Sequence, residues 1–439
     1  MWARIDLAVV PIVTMCFFLS FLDKGNIGNA RLAGLQKDLE MSDYQYTIML
    51  TITFIPYILA ELPSNLWLTR TAPNIVLPAM TTLWGIAATL QGVVTSYGGL
   101  VACRFFIGLF EGGLSPGIML YLTTFYPLEK LQLRISLFFV ATSLAGAFSG
   151  LLASAIIHMD GVGGKPGWAW IFILEGLFTF LFGICAFFLL PRKPASLAFL
   201  SPHEKEYVEN ELRAHDLANN PHSAKSGRGG IKWEQAFAAL RAVRVWIWVV
   251  AGFFNGATLS GLSYFLPSIV ASLGYTADDA QLMSVPPFAA SFVLSIFSSY
   301  LSDKYNKRSF TVFIFAIVGI IGFAMFVASS APHTRYAALF FILPGTYCMA
   351  PPLAALAAIT PRRTHASQTG GPYAYLSHTT RATSIALLTI STNSGGILST
   401  WLLGALSKGP RYEAAGWVFG AFQVGIVVCA AVSWIYGRK

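Results

Sequence analysis

Charge is scarce in this chain. Asp, Glu, Lys and Arg make up 11% of its residues, against about 25% in an ordinary soluble domain. With 55% hydrophobic residues and a mean hydropathy of +0.61, this excludes a soluble globular protein and points to an integral membrane protein. The five cysteines (16, 103, 185, 348 and 429) all lie in apolar segments without CxxC or metal-ligand spacing. No disulfide framework or metal site is expected, and the thiols are expected to be buried. The seven histidines all lie outside the centres of the apolar runs, which argues against a proton relay through imidazole. No nucleophile–base pair, phosphate-binding loop or metal cluster is present, so neither an enzyme nor a cofactor is expected. The first apolar segment is not followed by a small-residue cleavage site, and is expected to be a retained span and not a signal peptide. The formal charge of +9 does not imply a nucleic-acid partner, because the basic residues are spread over loops.

Apolar runs long enough to cross about 30 Å of hydrocarbon fall near residues 6–24, 46–68, 75–96, 99–124, 133–157 and 168–190. Six more follow near 244–271, 280–301, 309–330, 335–358, 384–406 and 414–436. The pattern predicts an all-α membrane protein of 12 transmembrane helices in two six-helix bundles. The divisions are an N-terminal bundle over 1–190, a linker over 191–243 and a C-terminal bundle over 244–439. Within the linker, Ser201–Arg213 opens with Ser-Pro and an acidic first turn and predicts a surface helix. Residues 218–230 are rich in Asn, Ser, Gly and Pro and read as flexible, and 231–240 read as a short amphipathic helix.

Orientation follows from the basic residues. With both termini on one side, that side carries 21 Lys and Arg and the other 6, while Lys24 and Arg104 lie within or at the edge of spans. The termini and linker are therefore expected to be cytoplasmic.

Against this background, residues 103–117 are unusual. The stretch lies inside an apolar run, yet it holds Arg104 and Glu111, seven residues apart and so on one helix face. Charges in hydrocarbon cost a few kcal/mol or more and normally face a polar cavity or a partner, so the pair is expected to line a path for something charged. Gly108 lies between them, and with Gly112 and Gly113 it is expected to leave space beside the helix. Glu61, one turn from Tyr57, and Glu175 are the other acids inside spans. Asn255, Tyr264 and Asn393 are candidates to face a cavity from the second bundle. Gly146 and Gly150 form a GxxxG pair in the fifth span, which signals close helix packing.

Five segments together resemble the major facilitator superfamily, and within it the anion:cation symporter group and its fungal allantoate/nicotinate/pantothenate permease branch. They are Phe21–Leu35, Ile55–Asn65, Arg104–Gly117, Gly167–Gly176 and Ser302–Arg308. Three departures stand out. Asp23-Lys24 replaces Asp-Arg, keeping the charge without a bidentate grip. Ala169 stands where an Arg separates the tryptophans. Thr360–Thr380 replaces a short loop, either as an insertion or as a retained intron, and the chain ends look clipped relative to family tails.

The resemblance implies a proton-coupled transporter of a small organic anion, such as nicotinate, pantothenate, biotin or allantoate, working by alternating access as a monomer in the plasma membrane. Carried over, its substrate and proton chemistry falls on Asp23, Lys24, Arg104 and Glu111. Asp23 would pair with Arg104, Arg104 and Lys24 would attract the anion, and Glu111, about 10 Å deeper, would take up and release a proton. Asp303, Lys304 and Arg308 would form a gating latch in the loop after the eighth span. The fifth span lacks the Gly-Pro motif of the superfamily's drug antiporters, which argues against antiport. The alternatives are an exporter of a carboxylated secondary metabolite, a non-transporting nutrient sensor or an inactive copy.

Overall fold

The computed structural model describes residues 1–219, 240–305, 307–359, 378–407, 409 and 411–438. Residues 231–239 of the expected short helix, residues 220–230 of the run expected to be flexible and most of Thr360–Thr380 lie outside the described residues, whereas residues 218–219 of that run are helical. Among the described residues there is no strand.

Helices stand at every expected span. The first is Trp2–Leu32, the second Asp43–Arg70 and the third Pro73–Gln91. The fourth is divided into Tyr97–Glu111 and Leu114–Thr123, and the fifth and sixth are Leu128–Ile157 and Gly167–Leu189. In the second set, the seventh to ninth are Val243–Ala271, Ala277–Tyr305 and Arg308–Ala328. The tenth is divided into Pro332–Tyr347 and Ala350–Ile359. The eleventh, His378–Trp401, continues as the π-helical turn Leu402–Leu406, and the twelfth is Glu413–Arg438.

Ten of these are long and apolar enough to cross a membrane. The second and eleventh do not qualify over their described residues, and these two pack on each other. Local signals set the helix ends. Ser42 and Gln45 form a reciprocal capping box at 3.2 and 2.9 Å, Ser96 caps Gly99, and prolines open the third and tenth spans.

The packing repeats with an offset of six spans. The first lies on the fifth, the second on the fourth and the third on the sixth; the seventh lies on the eleventh, the eighth on the tenth and the ninth on the twelfth. Between the two sets, the first meets the seventh, the fifth meets the eighth and the second meets the eleventh. Gly146 and Gly150 bring the fifth span onto the eighth, where a Cβ would stand 2.4 Å from the Phe288 ring and 2.6 Å from the Gln281 carbonyl.

Two expectations are corrected by this packing. Gly108, Gly112 and Gly113 do not border a cavity. A Cβ at Gly108 would stand 2.0 Å from the Thr53 carbonyl and one at Gly112 2.4 Å from that of Tyr57, so the second span fills that space. All the cysteines are free, but only Cys16 and Cys348 are buried, and Cys185 is exposed on the sixth span.

The linker helix Pro202–Asn219 docks on the face that carries the N-terminus. Arg4 donates to Glu204 and to the Phe199 carbonyl, Lys130 pairs with Glu211 at 2.9 Å, and Val208 is fully buried. Beside it, Arg134 grips Asp6 with two bonds of 2.9 and 2.7 Å.

A methyl at Gly108 is expected to force the second and fourth spans apart. Gly108→Ala should destabilise the protein by about 1–3 kcal/mol, read as a lower thermal midpoint in detergent. The Ser201 N–H and the Arg4 guanidinium hold the Glu204 carboxyl below its usual range. Its contribution to docking is therefore present above the ordinary Glu value of about 4.3 and is lost as pH falls through the lower, folded value. Hydrogen exchange in Pro202–Asn219 should accelerate in that acid range, and Glu204→Gln should produce the same loosening at neutral pH.

Candidate functional site

The first span was expected to end near residue 24, but the helix continues to Leu32. Asp23 and Lys24 are consequently set inside the protein and not at a loop edge. On this helix Ser20, Asp23, Lys24 and Asn26 lie within two turns, and at three- and four-residue spacings they share neighbouring faces. All but Lys24 are buried, and Lys24 is largely so.

The fourth span meets this polar run with Arg104 and Glu111, each 1% exposed. Lys24 Nζ lies 3.1 Å from Glu111 Oε1, and Ser20 Oγ donates to the same oxygen. Arg104 Nη1 lies 3.7 Å from Asp23 Oδ2, too far for a hydrogen bond. Among the described residues, Arg104 Nε and Nη2 make no hydrogen bond. The guanidinium sits 5.7 Å from the centre of the Phe172 ring, and Lys24 Nζ lies 4.6 Å from that of Phe21 and 5.1 Å from that of Tyr57. The two cations are thus held differently. Lys24 is neutralised by a close carboxylate, whereas Arg104 has a looser partner and an unused fork.

A second polar cluster adjoins the first. Asn26 Nδ2 donates to Glu175 Oε2 at 2.5 Å, and Ser149 Oγ donates to Asn26 Oδ1 at 3.2 Å. Asn29 Nδ2 donates to Ser149 Oγ at 2.8 Å, and Gln281 Nε2 reaches the Asn29 carbonyl at 3.4 Å. The chain of contacts runs from the sixth span through the first and fifth to the eighth, across the boundary between the two sets. A small cavity beside it is lined by Asn29, Ser149, Ser263, Ser284, Phe288 and Tyr347, with the Ser263 and Tyr347 hydroxyls 2.9 Å apart.

The remaining candidates are placed as follows. Glu61 is fully buried in the second span, and neither carboxylate oxygen makes a hydrogen bond among the described residues. Tyr264 is buried edge-on against Phe54, and its carbonyl would stand 2.4 Å from a Cβ at Gly28. That contact holds the first span on the seventh. Asn255 is buried in the seventh span, with Oδ1 making no bond among the described residues. Asn393 turns its amide back to the Thr389 carbonyl of its own helix at 2.9 Å. Lys304 is exposed beside the rings of Tyr300 and Tyr305, and Arg308 opens the ninth span. The Asp303 side chain lies outside the described residues.

Several site residues were not singled out from the sequence, namely Ser20, Asn26, Asn29, Ser149, Gln281, Ser263 and Tyr347. For Ser20 and Asn26 a signal was present, since each lies three residues from Asp23 on the same helix. For the others the partners come from different spans, and nothing local marks them. No group of three or more His, Cys, Asp or Glu side chains placed to hold a metal ion occurs among the described residues.

A family model described as Major Facilitator Superfamily matches residues 13–377. An uncharacterized transporter of Schizosaccharomyces pombe is 32% identical over 404 residues, covering 90% of this chain and 75% of that protein. The MFS-type transporter cnsO of Penicillium expansum is 31% identical over 99% of this chain and 83% of its own length. Among solved structures, the proton:xylose symporter XylE with a bound bromodeoxyglucose aligns with a TM-score of 0.72 at 14% identity, over 98% of this chain and 96% of that one. A bacterial homologue of the lysosomal transporter Spinster, in an inward-facing form, aligns with a TM-score of 0.68 at 16% identity, over 98% and 96%. At these identities the solved structures speak for the fold alone. An all-helical integral membrane protein of the secondary-transporter type, and not an enzyme, this chain belongs to the Major Facilitator Superfamily.

Proposed function

We propose that this protein is a proton-coupled transporter of a small organic anion, of the anion:cation symporter type that its sequence motifs resemble. The observation that carries this reading is the unused fork of Arg104. Nε and Nη2 are the two parallel donors with which a guanidinium grips a carboxylate, and here they are buried without a hydrogen bond among the described residues. A buried donor without a partner is costly, and a charged one more so. An anionic ligand supplies the missing acceptors at the position where they are needed.

Glu111 supports the coupling half of the reading. Its charge is balanced by Lys24 at 3.1 Å. Protonation of Glu111 would release Lys24, adding a second positive charge beside Arg104 at the moment an anion arrives. Proton and anion would then favour each other's binding, as linkage requires of any coupled pair. Asp23 holds Arg104 loosely enough to be displaced. The polar cluster from Glu175 to Gln281 would receive the uncharged part of the substrate, which fits the vitamin-like and nitrogen-source carboxylates nicotinate, pantothenate and allantoate. In this reading the face bearing the termini is cytoplasmic, the membrane is the plasma membrane and transport is inward. The two six-span sets, 1–190 and 244–439, rock about the first–seventh contact, and Lys304 and Arg308 belong to the cytoplasmic gate.

The test is uptake of a panel of labelled carboxylates (nicotinate, pantothenate, biotin and allantoate) by cells lacking their own permeases. Uptake of one of them should rise as external pH falls. Glu111→Gln should flatten that dependence, and Arg104→Lys, which keeps the charge but not the fork, should lower uptake by at least about tenfold, the equivalent of roughly 1.4 kcal/mol. A pH dependence that survives Glu111→Gln unchanged would remove Glu111 from the mechanism, and full uptake by Arg104→Lys would remove the fork.

A further inference from the structure

Glu61 is the one buried acid that the scheme above leaves without a task. It lies in the terminal-face half of the second span, nine residues before Arg70, where that span packs against the eleventh. Thr389 of the eleventh span lies toward it, but that hydroxyl donates to the Ile385 carbonyl at 3.0 Å, and neither Glu61 oxygen accepts a hydrogen bond among the described residues. A buried carboxylate without donors is costly to keep charged, and the neutral, protonated form costs far less.

The surrounding charges point the same way. The second span packs against the fourth, the third and the eleventh. The third span has no ionisable side chain, and the eleventh has none from Thr383 onward. The fourth brings Arg104, Glu111 and Tyr121, but Arg104 faces Asp23 and Glu111 is bound to Lys24. On its own helix the nearest titratable group is Tyr57, one turn away, whose ring touches Lys24. Among the described residues Glu61 therefore meets no cation. An isolated buried carboxylate is not sustained, and the group neutralises instead.

We propose that Glu61 is a second proton-binding site. The carboxylate takes a proton from water on the terminal face as the second and eleventh spans close over it, and returns it to that water when they part. This extends the proton-coupled reading by a site on the opposite side of Tyr57 from Glu111. Closure of the terminal face thereby becomes dependent on protonation, independently of whether substrate is bound.

Infrared difference spectroscopy of the full chain in lipid nanodiscs, without added substrate, tests this directly. At neutral pH the wild type should show the C=O stretch of a protonated carboxylic acid. That band should vanish in Glu61→Gln, shift in frequency in Thr389→Val, and persist in Glu111→Gln. A band of full intensity in Glu61→Gln, or an unmoved band in Thr389→Val, overturns the proposal; the Thr389 variant serves if Glu61→Gln does not fold. Amide exchange in Thr383–Asn393, compared at one alkaline pH, should be several-fold slower in Glu61→Gln than in the wild type. Equal rates would overturn the link to closure. The Glu111→Gln control keeps the outcomes separable, since loss of pH-dependent uptake concerns Glu111 and loss of the band concerns Glu61.

Discussion

Full charges enclosed by membrane-spanning helices must find partners within a few ångströms, and much of this structure follows from that requirement. Removing one member of a buried pair typically costs ~3–5 kcal/mol, because the other charge is left without compensation. The first span meets the demand by concentrating Ser20, Asp23, Lys24 and Asn26 within two turns, where they face Arg104 and Glu111 of the fourth span and Glu175 of the sixth. The matching is unequal. Lys24 and Glu111 form a close pair, while Arg104 and Asp23 stand at 3.7 Å. The close pair makes the site stable without ligand, and the loose pair leaves binding free energy available to one.

The backbone arrangement serves the same end. With Gly108 and Gly112 against the carbonyls of Thr53 and Tyr57, the second span lies directly on the fourth. Glu111 is the last residue of its helical segment, just before the Gly112–Gly113 break. Its carboxylate is held at the depth of Lys24, 3.1 Å from its ammonium. A side chain larger than glycine on that face would separate the second span from the fourth and with it move the Tyr57 ring away from Lys24.

The number and order of the spans were legible in the sequence, because hydrophobic length is a local property. So were Arg104 and Glu111, because charge within an apolar run needs no partner to be noticed. The end of the first span was not legible: the polar run after Leu22 looks like a loop by hydropathy, yet it is helix buried among other helices. The role of the glycines was misread for a related reason. A gap beside a helix is visible in the sequence, but what fills it is not, and here the second span does. Asn29, Ser149 and Gln281 were invisible because single polar residues in separate spans acquire meaning only when the spans meet.

The location of the charges also decides how the two sets of helices can act on them. Asp23, Lys24, Arg104, Glu111 and Glu175 all belong to the first six spans, whereas the second six contribute uncharged groups such as Gln281, Ser263, Tyr347 and Thr389. Movement between the sets therefore need not separate any of these ion pairs, which would be expensive. It changes which hydroxyl, amide or water stands against each charge, and so alters their solvation at a cost of one or two hydrogen bonds. A net contribution of roughly 0.5–1.5 kcal/mol per ordinary hydrogen bond is small enough for thermal fluctuation to cross and large enough to bias which side is closed. Glu61 stands apart from these charges: it lies where the second span meets the eleventh, so a movement between the sets would change its own surroundings, which is how the proposed proton site would give that movement a direction.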